Sequence, residues 1–434
     1  MRCICKNAVQ PDAACTAAKD AYLTALPRPG ENPMNRDVSR IDQRTGRSCF
    51  LIALAFLITM VGTTLPTPLY ALYQQHLGFG PTWVTLIFAI YAAGVIFALL
   101  AVGSWSDQLG RRPMLLAGLA MGAISALIFL YTDSIGGLLL ARLFSGFSAG
   151  IMTGTGTVAV IEAAPKRWQA NATLLATAAN MLGLGLGPLL AGFTSQFLPW
   201  PVHLAFLVHL LLLLGAATAI LAVGETVRLP ARARLRFQRP TLPAPVRSAF
   251  VPAAIAGLAG FSVTGLFTSL VPAIMRQIMG HNGGLLIGAV IFILFVGSIV
   301  GQTWVRRIRE TAQMNMGCSV LIAGVACLGL SIASAQLWLL MIGGLLSGIG
   351  QGVTFRAGMG AVASAAPAGQ KAGVTSTLFI VYYVSMSLPV IAVGVSIPVY
   401  GLHHAAEFFS VLVAMVAVLA MVSMNIARSR ASNA

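Results

Sequence analysis

Long apolar runs follow one another along most of this 434-residue chain. Each run has the roughly 20 apolar residues that a helix needs to cross a bilayer. None shows the apolar–polar alternation of a strand in a membrane barrel. The pattern therefore predicts an all-α polytopic membrane protein with twelve transmembrane helices. We place these spans at residues 49–73, 82–103, 114–132, 136–161, 168–197, 202–224, 249–275, 284–304, 315–334, 337–363, 371–397 and 404–427.

Polar segments divide the chain into five predicted units. In order, these are a disordered cytoplasmic tail, a six-helix bundle, a basic cytoplasmic linker, a second six-helix bundle and a short cytoplasmic tail, at residues 1–48, 49–224, 225–248, 249–427 and 428–434. No apolar signal-peptide core precedes the first span. Met34, which follows a Pro/Gly-rich stretch shortly before that span, is an alternative start of translation.

The charge of the chain indicates its orientation. Hydrophobic residues make up 57% and charged residues 9% of the chain, whereas soluble domains have roughly 25% charged residues. The net charge of +16 comes from basic residues in the tails and in alternate loops, with Arg142, Arg276 and Arg356 as the exceptions. The positive-inside rule then places both termini in the cytoplasm. We expect the spans to cross the inner membrane of a bacterium. These short basic loops lack interleaved aromatics, which argues against nucleic-acid binding.

An internal repeat relates the two predicted bundles. The segment ARLFSGFSAG at 141–150 is similar to GGLLSGIGQG at 343–352, and Pro68 near the end of span 1 has a counterpart in Pro272 near the end of span 7. Each half has an even number of spans, so both halves enter the membrane in the same direction. Parallel repeats of this kind place a small-molecule site between the halves.

The loop between spans 2 and 3 contains a complete motif. It reads GSWSDQLGRR, with Gly103, Asp107, Gly110, Arg111 and Arg112 at the fixed positions. This resembles the G-x-x-x-D-x-x-G-R-R signature of the major facilitator superfamily. The resemblance implies a cytoplasmic latch for the outward-open state, in which Asp107 meets the positive N-terminal end of span 11, near Lys371. Arg111 and Arg112 could pair with Glu162, or could serve only to set the topology.

Arg142 is a charge inside an apolar span, which is expensive and indicates a functional site. With Gly146 and Gly150 it resembles the R-x-x-x-G motif of the same superfamily, whose arginine is linked to proton coupling. The alternative is a structural arginine that bonds backbone carbonyls or reaches the outer face.

Span 5 contains a row of small residues around a proline. Gly183, Gly187, Pro188 and Gly192 resemble the antiporter motif G-x-x-x-G-P-x-x-G-G, with Ala191 in place of one glycine. Small residues let helices approach closely, so span 5 is expected to pack on a helix of the other half. The resemblance is to the drug:proton antiporter branch, although generic helix packing would use the same residues.

A proton carrier is harder to identify, because spans 1 and 7 contain no Asp or Glu. The proton-coupling candidates are Arg142, His209 in span 6 and Glu407 near the outer end of span 12; histidine titrates near neutral pH. Candidates for the substrate cavity, which suit a neutral or weakly amphipathic compound, are Tyr91, Asn180, Phe267, Gln351, Arg356 and Tyr383. His209 and these side chains could also be ordinary packing residues, and Arg356 could reach the cytoplasmic end of its helix.

These features predict a monomeric secondary transporter that works by alternating access. We expect proton-coupled efflux of a small organic compound or drug, with the proton gradient as energy source and without a cofactor or metal. The alternative is an uptake permease or facilitator for a metabolite such as a sugar or amino acid. The chain has no P-loop and no embedded cluster of nucleophiles, so it is not expected to be an enzyme.

Overall fold

The computed structural model describes the backbone of residues 33–102, 105–227, 237, 240–367 and 369–432. Outside the described residues lie Gly103 of the predicted latch, the tail up to residue 32, and residues 228–236, 238 and 239 of the predicted linker. The described residues form helices, turns and loops, and no strand occurs among them.

Apolar helices dominate this part of the chain. They are α1 at Pro33–Thr64 and Pro66–Leu77, α2 at Pro81–Val102, α3 at Arg111–Tyr131, α4 at Ile135–Ile151 and Thr157–Glu162, α5 at Gln169–Phe197, α6 at Pro201–Leu221, α7 at Arg247–Ser269 and Val271–Gln277, α8 at Gly284–Trp304, α9 at Glu310–Ser334, α10 at Leu337–Ala365, and α11 and α12 at 371–400 and 402–432. A short helix, Ser106–Leu109, lies between α2 and α3.

The number of spans agrees with the apolar pattern. Among the described residues, 11 helices are long and apolar enough to cross a membrane. The last of them, Lys371–Ala427, contains two spans, because Gly401 has a φ of 78° and breaks the helix between α11 and α12. Glycine tolerates this left-handed conformation because it lacks a Cβ atom. When α11 and α12 are counted separately, the spans number twelve, as predicted. The all-α membrane fold is confirmed.

The start of α1 differs from the sequence prediction. Residues 33–48 were expected to belong to a disordered tail, but the helix begins at Pro33. Once the apolar span has formed, each further helical residue adds a hydrogen bond without a new nucleation cost. Proline is also well tolerated at the first helical position. The polar composition of this segment was therefore a poor guide to its backbone.

Matching interruptions support the internal repeat. α1 is interrupted at Leu65, just before Pro66, and α7 is interrupted at Leu270, two residues before Pro272. Proline lacks a backbone N–H and interrupts the helical ladder. The first helix of each bundle is therefore interrupted at a matching place.

The bundle has two distinct ends. The basic end carries Arg111, Arg112, Arg306 and Arg307, and the opposite end carries the loops that contain Gly78, Thr132 and Gly280. Helices α1–α6 form one half and α7–α12 the other, and the halves meet mainly where α5 packs on α8 and α2 packs on α11.

Hydrogen bonds between the halves close the opposite end. Thr67 of α1 donates to the carbonyl of Thr268 on α7 at 2.9 Å. Thr82 of α2 donates to the carbonyl of Gly394 on α11 at 2.8 Å. The backbone N–H of Leu285 at the start of α8 donates to the Gln196 amide oxygen of α5 at 3.1 Å. These bonds join α1 to α7, α2 to α11 and α5 to α8 at this end.

Candidate functional site

A small cavity of about 50 Å³ lies between the two halves. Four of the predicted cavity residues line it: Tyr91 from α2, Asn180 from α5, Gln351 from α10 and Tyr383 from α11. The residues that line it are apolar, aromatic or uncharged polar, with no Asp, Glu, Lys or Arg among them. The site can therefore offer stacking surfaces and amide groups to a ligand, but no formal charge.

Several contacts position these side chains. The rings of Tyr91 and Tyr383 meet edge-on across the interface, with centroids 6.4 Å apart. Ser298 donates to the Gln351 amide oxygen at 2.7 Å, which fixes that amide. The amide oxygen of Asn180 is buried and has no hydrogen-bond partner in the described part of the chain. An unpaired buried acceptor costs about 1–3 kcal/mol, which a hydrogen-bond donor on a ligand would recover.

Phe267 and Arg356, the other two predicted cavity residues, do not line this cavity. Phe267 is completely buried in the core of the second half, where its ring packs against Gly344. Arg356 is half-buried on α10 and lies within electrostatic range of Arg306, toward the basic end. The repeat predicted that α10 faces the cavity, but it could not resolve which face of an almost wholly apolar helix does so.

At the basic end, Arg111 is the centre of an ion-pair network. Its guanidinium contacts Asp107 at 2.6 Å and Glu162 at 2.9 Å, and it donates to the Ser106 hydroxyl at 2.6 Å. The expected pairing of Arg111 with Glu162 is thus present. Within the described residues, the ion pair of Asp107 is with Arg111, so the structure does not form the expected contact with the N-terminal end of α11.

Arg112 takes a different partner from the one expected. It donates to the backbone carbonyl of Leu221, at the end of α6, at 2.5 Å, and does not pair with Glu162. Glu225, which sequence reasoning missed, accepts from the backbone N–H groups of Arg111 and Arg112 at 2.8 and 3.1 Å. Its carboxylate therefore caps the positive N-terminal end of α3, where Gly110 has no side chain to do so. No local pattern pointed to Glu225, because it follows a different helix.

The halves also meet at the basic end. Arg306, after α8, donates to the Asn171 side chain of α5 at 2.7 Å and to the Ala170 carbonyl at 3.2 Å. The second half thus supplies a basic contact across the interface at this end, although its loop lacks an equivalent of Asp107.

Arg142 is completely buried in the first half. Its guanidinium donates to the Tyr70 hydroxyl and to the backbone carbonyl of Thr63. The Tyr91 ring lies 5.7 Å from its central carbon, so the cation also faces an aromatic ring of the central cavity. Arg142 thus bonds a carbonyl, as the structural alternative requires, yet its Nη2 donor is left without a partner in the described part of the chain.

His209 and Glu407 occupy very different places. His209 is 2% exposed, and its ring packs against Gly62 of α1 among the hydroxyls of Thr59, Thr63 and Ser125. Its Nδ1 atom has no partner in the described part of the chain. Glu407 lies on α12, at the surface, near His403 and His404 at 3.2 and 3.4 Å. The structure therefore places Glu407 away from both Arg142 and the central cavity.

Helix α5 presents small residues to two neighbours. A Cβ atom at Gly183 or Gly187 would collide with backbone of α1, and one at Gly192 would collide with backbone of α8. Pro188 forms part of the same surface, because its carbonyl lies directly against Gly288 of α8. The motif thus allows α5 to pack closely both within its half and across the interface.

The comparison with known proteins identifies the family. Residues 52–390 match the family model described as Major Facilitator Superfamily. The chain belongs to the major facilitator superfamily. It is consequently a membrane transporter and not an enzyme. Among its described residues, no group of three His, Cys, Asp or Glu side chains could hold a metal ion.

A multidrug transporter is similar to part of this chain. The chain is 28% identical over 162 residues to the multidrug transporter MdfA of Edwardsiella piscicida, a match that covers 36% of this chain and 40% of MdfA. The chain thus spans about two fifths of the length of this relative.

Two solved structures share the fold. A POT family transporter crystallised with 5-aminolevulinic acid has a TM-score of 0.70 and 14% identity, with coverage of 88% of this chain and 96% of that one. The human organic anion transporter MFSD10 has a TM-score of 0.64 and 20% identity, with coverage of 86% and 99%. The superfamily fold therefore extends over most of the chain.

Proposed function

We propose that this superfamily member exports a small, neutral or weakly amphipathic organic compound in exchange for protons. The observation that supports this most directly is the cavity between the halves, which is lined by uncharged aromatic and amide side chains such as Tyr91, Asn180 and Gln351. Such a lining suits a ligand that binds by stacking and by a few hydrogen bonds. At about 50 Å³ the cavity must widen to the roughly 300 Å³ of a small-molecule site before such a ligand fits, which the rocking of the halves would allow. The transporter needs no cofactor in this proposal and acts as a monomer.

Two observations favour export over uptake. The small-residue motif of α5 resembles that of drug:proton antiporters, and its glycines and Pro188 lie at close-packed helix contacts. The relative MdfA is described as a multidrug transporter. Close packing of α5 on α8 provides a smooth surface on which the two halves can rock.

We further propose that the basic end faces the cytoplasm, with the transporter in the bacterial inner membrane. The opposite end is closed by hydrogen bonds between the halves, such as the one from Thr67 to the Thr268 carbonyl. In this state Asp107 pairs with Arg111 of its own half. Asp107 would meet the N-terminal end of α11 only after the halves rock and the basic end closes, which would complete the latch.

Inverted membrane vesicles provide the test of proton-coupled export. Respiration acidifies such vesicles, and the fluorescence of acridine orange reports the resulting ΔpH. We would add members of a panel of dyes, antibiotics and metabolites, one at a time. An exported compound should enter the vesicles while protons leave, so the quenched fluorescence should recover.

Vesicles without the transporter are the control, because lipophilic weak bases also dissipate a ΔpH. The proposal would be contradicted if the fluorescence recovered equally in both preparations. It would also be contradicted if no compound restored the fluorescence in either preparation. A different outcome is entry of a compound only when its gradient and the proton gradient point in the same direction. That result would instead identify a proton symporter for uptake.

A further inference from the structure

A second pocket, of about 340 Å³, opens between the halves at the opposite end of the bundle. Its walls come from the second part of α1, the start of α2 and the second part of α7. The polar residues that line it are Thr67, Tyr70, Gln74, Gln75, Ser269, Arg276 and Gln277. It shares no lining residue with the central cavity, so its chemistry must be considered separately.

Arg276 gives this pocket a positive charge. It is the one Lys or Arg that the apolar pattern leaves outside the spans at the opposite end, and in the structure it lies in the last turn of α7. Its side chain is half-buried, and among the described residues its hydrogen bond is from Nη2 to the carbonyl of Pro68, at 3.2 Å. A guanidinium has five N–H donors, so most of them remain available to a ligand. No Asp or Glu lines the pocket.

A second cation lies beneath the first. Tyr70 is buried at the wall of the pocket, and its hydroxyl accepts a hydrogen bond from Arg142. The central guanidinium carbon of Arg142 is 5.3 Å from the centroid of the Tyr70 ring. In the described part of the chain neither arginine pairs with a carboxylate. Charges that are partly removed from water interact more strongly than charges at an exposed surface, so both arginines favour an anion in this pocket.

We propose that this pocket is a binding site for a small organic carboxylate. The planar fork of Arg276 matches the two oxygens of a carboxylate, and Gln74 and Gln277 can donate amide hydrogen bonds from either half. Val84, Leu270 and Pro272 offer an apolar wall for the body of the ligand. The volume lies within the range of small-molecule sites. Of the two arginines only Arg276 lines the pocket, so one carboxylate can pair with it directly, which favours a monoanion.

Benzoate and its neutral analogue benzamide test this site. Isothermal titration calorimetry would use the full chain, purified in an uncharged detergent at low salt. We expect benzoate to bind at least tenfold more tightly than benzamide, and its affinity to fall as salt is added. Arg276→Gln should weaken benzoate binding at least tenfold, because it removes the charge-assisted pair, whereas Arg276→Lys should retain part of the affinity.

Two further variants separate a specific site from a general charge effect. Arg309→Gln removes one charge from the basic end and should leave benzoate affinity within twofold. Gln277→Glu leaves Arg276 in place but adds a negative charge to the pocket. This charge repels the carboxylate of benzoate, so the variant should bind benzoate more weakly. Equal binding of benzoate and benzamide, or wild-type affinity in Arg276→Gln, would overturn the proposal. Binding in detergent requires no proton gradient, so such a failure would leave the export proposal untouched.

Discussion

Arg142 and His209 contact consecutive residues of α1. The carbonyl of Thr63 accepts a hydrogen bond from Arg142, and Gly62 receives the ring of His209. The Tyr91 hydroxyl faces Thr63 and also Tyr383 of the other half. A change in protonation at His209 would therefore act on α1, at the point where α1 contacts Arg142 and the cavity. Sequence reasoning singled out both residues, but it could not show that one short segment joins them, because their helices are distant in sequence.

At this scale we predict that Arg142→Gln uncouples transport from the proton gradient. Removal of this guanidinium takes a hydrogen-bond donor from the Thr63 carbonyl and the Tyr70 hydroxyl, so we expect the folded protein to lose about 1–3 kcal/mol of stability. We expect proton-driven transport to fall at least tenfold, while exchange of substrate without a ΔpH continues. Arg356→Gln, a charge removal outside the cavity, is the matched control and should stay within twofold of wild type. A retained response to ΔpH in Arg142→Gln would contradict the coupling role.

The helices themselves could largely be read from the apolar pattern, but the faces they present could not. In a membrane a helix can be apolar on all sides, so Phe267 could not be distinguished from a cavity residue by spacing. Small residues were more informative, because close packing demands them wherever backbones touch. The close approach of α5 to a helix of the other half could be predicted for that reason, although not that this helix is α8. The cap that Glu225 provides for α3 depends on a contact made only in the folded chain.

The α5–α8 contact predicts different effects for two identical substitutions. A Cβ atom at Gly288 would strike the backbone of Pro188, whereas one at Gly215 on α6 would meet nothing within 4 Å. Gly288→Ala should therefore destabilise the protein by about 1–3 kcal/mol through overpacking and slow transport. Gly215→Ala should change stability by no more than roughly 0.5 kcal/mol. Thermal unfolding in detergent would compare the two variants. Equal melting temperatures would show that the halves do not need this close approach.

At the scale of the whole molecule, composition and charge predicted two related bundles and a distinct basic end. They could not indicate which end is closed, because both conformations of a rocking transporter satisfy the same apolar pattern. The closing contacts, such as that of Thr67 with the Thr268 carbonyl, join helices from different halves. Each such bond contributes only about 1 kcal/mol, so either state is within reach of ligand binding.

The distribution of basic residues makes a prediction about the whole chain in its membrane. If the basic end is cytoplasmic, green fluorescent protein should fluoresce when fused after residue 240 or after residue 434, and alkaline phosphatase should be inactive there. The reverse is expected for fusions at Asp133 and at Gly280, which lie in loops of the opposite end. Arg276→Gln removes the basic residue of that end and should leave this pattern unchanged. Phosphatase activity at residue 240 would invert the proposed orientation, and with it the side from which a carboxylate reaches Arg276.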